Sequence, residues 1–300
     1  MSVITNLPAM PNRIAIACEY LYFLGEEGAS WDSIENQLSP LKRGEGSEDE
    51  EKSGKSMAED VLKEMESLKL LVRTSRDGIM LNAQIIAPSD GDWQQALRPY
   101  LFLWLTAPDE AEIHGQSDLP DAFAWLLTQD PFDPMLFSAG YLKPIERQLP
   151  ETDPVRSVIS NNSRYQNLIY WARYLGLAER VSVIDDMVIP DPTEAILSQL
   201  STVFGEDQEL SIQIFMQRLA LSCPIMDGGS ARRTFETRLS GEYQPKEGFL
   251  SRSMSLALTR LATRGVLKLS KPSDATTLLL DLGNITETVS HVSLVREKLT

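Results

Sequence analysis

Between Arg218 and Lys271 the chain carries ten basic side chains and four acidic ones, a local charge of +6 in a protein of net charge −15. The cations are Arg218, Arg232, Arg233, Arg238, Lys246, Arg252, Arg260, Arg264, Lys268 and Lys271. Guanidinium and ammonium groups bind phosphate oxygens, and arginine and hydroxyl side chains reach base edges. Arg252, Ser253, Ser255 and Thr259 share a predicted helix but lie off its apolar stripe, where phosphates or bases could be met. Lys268 and Lys271 follow in a segment that reads as a hairpin. These residues make nucleic-acid contact the leading chemistry, with a solvated basic face as the competing reading.

A second cluster comprises Asn161, Asn162, Ser163, Arg164, Gln166, Asn167 and Arg173. Amides and arginines at the start of a helix can read bases, and Arg164 and Asn167 are the candidates here. Helix capping with a solvent face is the plainer account, and Asp185 and Asp186 at the adjoining hairpin tip oppose DNA. Ser53-Gly54-Lys55-Ser56 resembles the end of a phosphate-binding loop, but the position that needs the first glycine is Asp49. Five carboxylates between Glu45 and Glu51 would also repel a triphosphate. His114 and His291 lie far apart and neither has ligand spacing, so no metal site is expected. Cys18 and Cys223 sit in apolar helical contexts and read as buried free thiols of a reducing compartment. With no Gly-x-Ser-x-Gly elbow either, the expectation is a protein without catalytic residues or cofactor.

The elements that must position these residues repeat three times: a short amphipathic helix, a sharp stop, then two extended segments. The stripes are Ala58, Val61, Leu62, Met65; Tyr165, Leu168, Ile169, Ala172; and Met254, Ala257, Leu258, Leu261. Each is spaced i, i+3, i+4, i+7, which puts four apolar side chains on one helix face. The stops are Lys69, Gly176 and Gly265. Helix–stop–hairpin is the second half of a winged helix-turn-helix, so the expected fold class is mostly α, with tandem winged helix-turn-helix units, small β-hairpin wings and a helical connecting segment.

The first unit spans 1–90, with helices at 12–24, 31–38 and 56–68 and strands at 72–74 and 79–81 around Arg76-Asp77-Gly78. An acidic, glycine-rich insertion at 43–56 reads as a loop too long for the usual helix-turn-helix turn. Residues 91–135 read as an aromatic-rich helical connector holding Trp93, Tyr100, Phe102, Trp104, Phe123 and Trp125 and cut by prolines. The second unit covers 136–192, with helices at 136–148 and 153–159, a third capped by Asn162 or Ser163, and strands at 180–184 and 187–189. The third unit with its tail covers 193–300: a linking helix at 193–204, helices at 210–221, 231–239 and from Ser251, and a wing at 266–280. The tail from Ile285 admits another helix.

Charge divides along these lines, with net values of −7 for 1–90, −6 for 91–150, −6 for 151–210 and +4 for 211–300. An acidic total argues against a simple nucleic-acid binder, while its distribution leaves one basic region. No apolar run reaches the roughly 18 residues that span a bilayer, and the first residues lack a basic stretch followed by an apolar block. A cytoplasmic protein without membrane contact is expected.

The opening Asn6-Leu7-Pro8-Ala9-Met10-Pro11-Asn12-Arg13, running on through Ile14-Ala15-Ile16-Ala17-Cys18-Glu19-Tyr20-Leu21 into the first unit, resembles the start of DpdG-type proteins. Those proteins accompany enzymes that place 7-deazapurines in DNA. The resemblance implies a role in bacterial modification, restriction or phage defence alongside partner proteins.

The sequence therefore predicts a non-enzymatic accessory subunit that touches DNA through residues 218–271. The DNA-contacting residues would be Arg232, Arg233, Arg252, Ser253, Ser255, Arg260, Arg264, Lys268 and Lys271, with Arg164 and Asn167 from the second unit. The acidic units would hold other protein subunits, and homo-oligomerisation stays open. The competing readings are a protein-interaction scaffold that never touches DNA, and a ligand-responsive transcription regulator with a pocket among the aromatics of 93–125.

Overall fold

The computed structural model describes residues 2–39, 56–74, 78–272 and 276–295. The acidic insertion lies outside the described residues except for Ser56, and so does most of the Arg76-Asp77-Gly78 turn. The protein is mostly helical with small antiparallel sheets.

The first motif comprises helix α1 (Pro11–Leu24), strand β1 (Ala29–Ser30), helices α2 (Trp31–Leu38) and α3 (Met57–Ser67), and strands β2 (Leu71–Arg73) and β3 (Gly78–Leu81). Ser30 ends β1 and caps α2, its Oγ accepting from Ser33 N at 3.3 Å. Ser56 caps α3 through Glu59 N at 3.0 Å. β3 lies between β1 and β2 in the sheet. Two helices follow, α4 (Trp93–Thr106) and α5 (Pro108–Ile113). The aromatic-rich connector is helical as expected, and Trp93, Phe102, Phe123 and Trp125 are core side chains.

Next come α6 (Leu119–Thr128), β4 (Met135–Leu136), α7 (Leu142–Gln148), α8 (Pro154–Val158), α9 (Asn162–Tyr174), β5 (Ala178–Ser182) and β6 (Asp186–Pro190). The sheet order is β4-β6-β5, the same arrangement as in the first motif. The expected helix at 136–148 is thus only α7 preceded by a strand. Leu136 pairs with Met187, and Ala139 has a positive φ of 61°, which breaks a helix there. The helix that precedes the short strand is α6, which sequence reading assigned to the connector. It is apolar on every side and buried from Leu119 through Leu127 apart from Asp121. The cap of α9 is Asn161, whose Oδ1 accepts from Arg164 N at 3.0 Å, not Asn162 or Ser163.

The remaining elements are α10 (Thr193–Phe204), β7 (Glu209–Ser211), α11 (Ile212–Ser222), α12 (Ser230–Glu236), α13 (Arg252–Thr263), β8 (Leu267–Ser270), β9 (Leu278–Asp281), β10 (Thr286–Val289) and β11 (His291–Leu294). Ser211 ends β7 and caps α11, repeating what Ser30 does. The order β7-β11-β8 makes a third sheet of the same kind. Here too the leading helix is one position earlier than expected: α10, read as a linker, packs on α11 and α13. β8 pairs with β11, while β9 and β10 form a separate ribbon inserted between them. The tail is strand rather than helix: Val292 and Leu294 are buried and alternate with the more exposed His291 and Ser293.

All twelve stripe residues are buried. All three helices stop with the same pair of backbone bonds. Lys69 N reaches Glu66 O and Leu70 N reaches Met65 O; Gly176 N reaches Arg173 O and Leu177 N reaches Ala172 O; Gly265 N reaches Ala262 O and Val266 N reaches Leu261 O. This is the Schellman closure, with Lys69, Gly176 and Gly265 at φ 57°, 76° and 72°. Among the described residues no helix is long and apolar enough to cross a membrane.

Candidate nucleic-acid interface

The basic stretch is centred on α13. Ser251 caps it, accepting from Met254 N at 3.3 Å, and is itself held by the Asp227 carboxylate through its N–H and its Oγ–H, both at 2.7 Å. From this fixed start the polar side chains point into the protein. Ser253 Oγ donates to Leu127 O of α6 at 2.6 Å, and Ser255 Oγ accepts from Asp281 N at 2.9 Å. Both serines are buried.

The arginines meet carboxylates. Arg252 pairs with Asp130 through Nη1 and with Asp281 through Nε at 3.2 Å. Partial burial opposes its charge, but the two carboxylates outweigh that and raise its pKa above the usual guanidinium value. Arg260 pairs with the buried Asp191, and Arg264 with Glu194. Arg232 is only 2 % exposed, donates from Nε to Glu236 and from Nη1 to Ala124 O at 3.3 Å, and lies 3.7 Å from Asp227. Arg238 bridges Asp121 at 2.7 Å and Asp153 at 3.4 Å, and Arg218 reaches Asp207 at 2.7 Å.

Most of these acids lie in the acidic stretch 91–210. The basic third motif is therefore joined to the acidic part of the same chain, and the charge asymmetry is largely answered within the molecule. Exposed pairs of this kind contribute only about 0–1 kcal/mol each, whereas removing one member of a buried pair costs about 3–5 kcal/mol. The Arg232 cluster belongs to the second kind.

The structure thus corrects several expected contacts. Arg232, Ser253, Ser255 and Asn167 are buried and bonded internally, so they present nothing to a duplex. Asn167 Nδ2 donates to Val3 O and, at 3.3 Å, to Ile4 O, fastening the N-terminal segment to α9. Arg164 is half-buried and donates to Ser157 O and Ser160 Oγ, both at 3.0 Å. Arg252, Arg260 and Arg264 are partly accessible but held by carboxylates. Arg233, Lys268 and Lys271 are exposed, with no ion pair recorded among the described residues. Arg252, Ser253 and Ser255 instead bond to the segments of α6 and β9 packed against α13.

Sequence reasoning missed the other half of the joint: Asp121, Asp130, Asp191, Glu194 and Asp281. For the first four the one signal was the acidic charge of residues 91–210, and Asp281, inside the basic segment, had none. Beside the joint a cleft of about 380 Å³ is lined by Asp130, Arg232, Tyr243, Phe249 and Arg252 among others. Both cysteines are buried and free, with the Cys223 thiol pushed up to about 12 by burial. His114 stacks on Trp104 with ring centroids 4.4 Å apart. Among the described residues no group of three or more His, Cys, Asp or Glu could hold a metal ion.

Fold and site together define a mostly helical protein of three repeated helix–sheet motifs, the third held to the acidic stretch before it by arginine–carboxylate pairs. The chain belongs to the DpdG-like family, whose match covers residues 1–275. No curated protein and no solved structure matches it. The residues that carried the resemblance tie the N-terminal segment to α3 of the first motif through Asn6 and to α9 of the second through Ala9. Asn6 Nδ2 donates to Asp60 O at 2.9 Å and Glu64 Oε2 at 3.0 Å, and Trp171 Nε1 donates to Ala9 O at 3.2 Å.

Proposed function

We propose that the chain is a non-enzymatic accessory subunit of a bacterial DNA-modification and restriction system. In this reading its three motifs are tandem winged helix-turn-helix units that serve as an assembly scaffold for protein partners. Family membership supports the association with a DNA-modification system. The repeated order of short strand, return strand and outgoing strand, on a three-helix base, supports the winged-helix assignment. The observation that carries the scaffold reading over DNA binding by α13 is the commitment of Arg252, Arg260 and Arg264 to Asp130, Asp281, Asp191 and Glu194. A duplex would have to displace those carboxylates and separate α13 from α6.

One observation favours a second reading: Arg233, Lys268 and Lys271 are exposed and could meet phosphates at the edge of the third motif. Fluorescence anisotropy with a labelled duplex across a salt titration separates the two. The scaffold reading expects no binding tighter than about millimolar at physiological salt, weaker than the usual non-specific range. Micromolar binding that is lost in Lys268→Glu/Lys271→Glu, a variant that leaves the joint intact, would overturn it in favour of the second reading.

A further inference from the structure

The three outgoing strands β2, β5 and β8 are equivalent edge strands, and edges invite pairing unless they are guarded. β2 ends in Arg73 and β8 carries Lys268, with Lys271 just beyond it. The residues that follow them in sequence are polar, Ser75-Arg76-Asp77 and Ser273-Asp274. β5 differs. It leads into a turn where Val183 is 85 % and Ile184 95 % exposed, after Val181 at 41 %. Two adjacent, almost fully solvated β-branched side chains are costly unless covered at about 25 cal/mol per Å² of apolar surface.

The hairpin beneath them is held firmly. Arg180 pairs with Asp186 across the strands at 2.5 Å, and its guanidinium lies 3.9 Å over the Phe137 ring. Its one cation is thereby neutralised, which leaves Glu179 and Asp185 as the exposed charges beside the apolar tip.

We propose that the β5 edge and the Val181–Val183–Ile184 tip are a docking site for an extended segment of a partner protein that alternates β-branched apolar residues with lysine or arginine. This rests on the scaffold reading and names the chemistry of one partner. The apolar residues of the segment would cover Val181, Val183 and Ile184, its cations would meet Glu179 and Asp185, and its backbone would extend the sheet by one strand. Charge argues against the alternatives: the two carboxylates repel a phosphate backbone and an anionic membrane, and a second copy would bring the same acidic pair against itself.

The test uses the full chain and two fluorescein-labelled peptides, one alternating valine with lysine and one alternating valine with glutamate. The valine–lysine peptide is expected to bind in the micromolar range. Binding should fall at least tenfold in Val183→Asp/Ile184→Asp, with an unchanged melting temperature, and at least tenfold when the glutamate peptide replaces it. Absence of binding would overturn the proposal, as would equal binding to the variant, which would mean attraction to the chain's overall charge. A dimer in sedimentation that the variant dissociates would also overturn it and make a second copy the occupant. None of these results bears on the duplex titration, so the proposal and the scaffold reading can fail separately.

Discussion

The helices α9 and α13 end with the same pair of backbone bonds and a glycine in the same left-handed conformation, yet their surroundings differ. A Cβ on Gly176 would lie 2.8 Å from Ala195 N and 2.9 Å from Glu194 Cβ, at the start of α10. A Cβ on Gly265 would meet nothing within 4 Å. The second motif's stop is wedged against the third motif, and Ala195 N donates to Gly176 O at 3.1 Å. The third motif's stop faces open space. The comparison teaches that a local device written the same way in sequence can be purely local or can be part of a joint.

Chemical denaturation can try to break that contrast. The largest effect is expected inside the joint, from Arg232→Ala. It leaves Asp227 and Glu236 without their buried partner and should cost about 3–5 kcal/mol. The neighbouring Arg233→Ala should change stability by less than about 0.5 kcal/mol, since that side chain is exposed. Equal effects at the two arginines would remove the joint as an explanation.

Next, Gly176→Ala should cost about 2–4 kcal/mol, a left-handed penalty plus overpacking against α10. Gly265→Ala should cost only the first part, about 1–2 kcal/mol. Lys69→Gly sharpens the same comparison in the other direction. It relieves a non-glycine residue at φ 57° and should stabilise by about 1 kcal/mol. If Gly176→Ala and Gly265→Ala prove equal, the wedge against α10 has no energetic weight.

The smallest expected effect concerns pH. Glu64 of α3 is buried where Asn6 and Gln116 donate to it. Burial raises its pKa above the ordinary glutamate value, and the two amide donors only partly offset this. The folded state therefore holds the Glu64 proton more tightly than the unfolded chain. Its contribution to stability is fully present below the ordinary glutamate pKa and is lost as pH rises through the raised value. Glu64→Gln should flatten the stability–pH curve in that window. An unchanged slope would place the pH dependence elsewhere.

Much of the site was written in the chain but only in half. The apolar stripes, the stops and the Asp-Gly hairpin signal were legible because each depends on residues within one or two turns of one another. The polar face of α13 was legible as a pattern, and its destination was not. Ser253 meets Leu127 and Arg252 meets Asp130 across more than 120 positions of sequence, a distance over which spacing carries no information. The leading helices α6 and α10 were misplaced for a related reason. What marks them as the start of a motif is a two- or three-residue strand that pairs more than 50 positions later in one case and more than 70 in the other.

The sequence by itself determined the local grammar: three striped helices, the serine caps of α3 and α13, the places where the three helices stop and the opposite charge of the last third. These follow from side-chain periodicity and, at Gly176 and Gly265, from the freedom of glycine to take a positive φ. Only the tertiary structure decided that the basic third faces its own acidic neighbour, that the serines of α13 are interior, and that one hairpin tip of apolar residues is exposed. Those outcomes depend on which surfaces pack together, and packing buries a charge only where a distant opposite charge arrives to meet it.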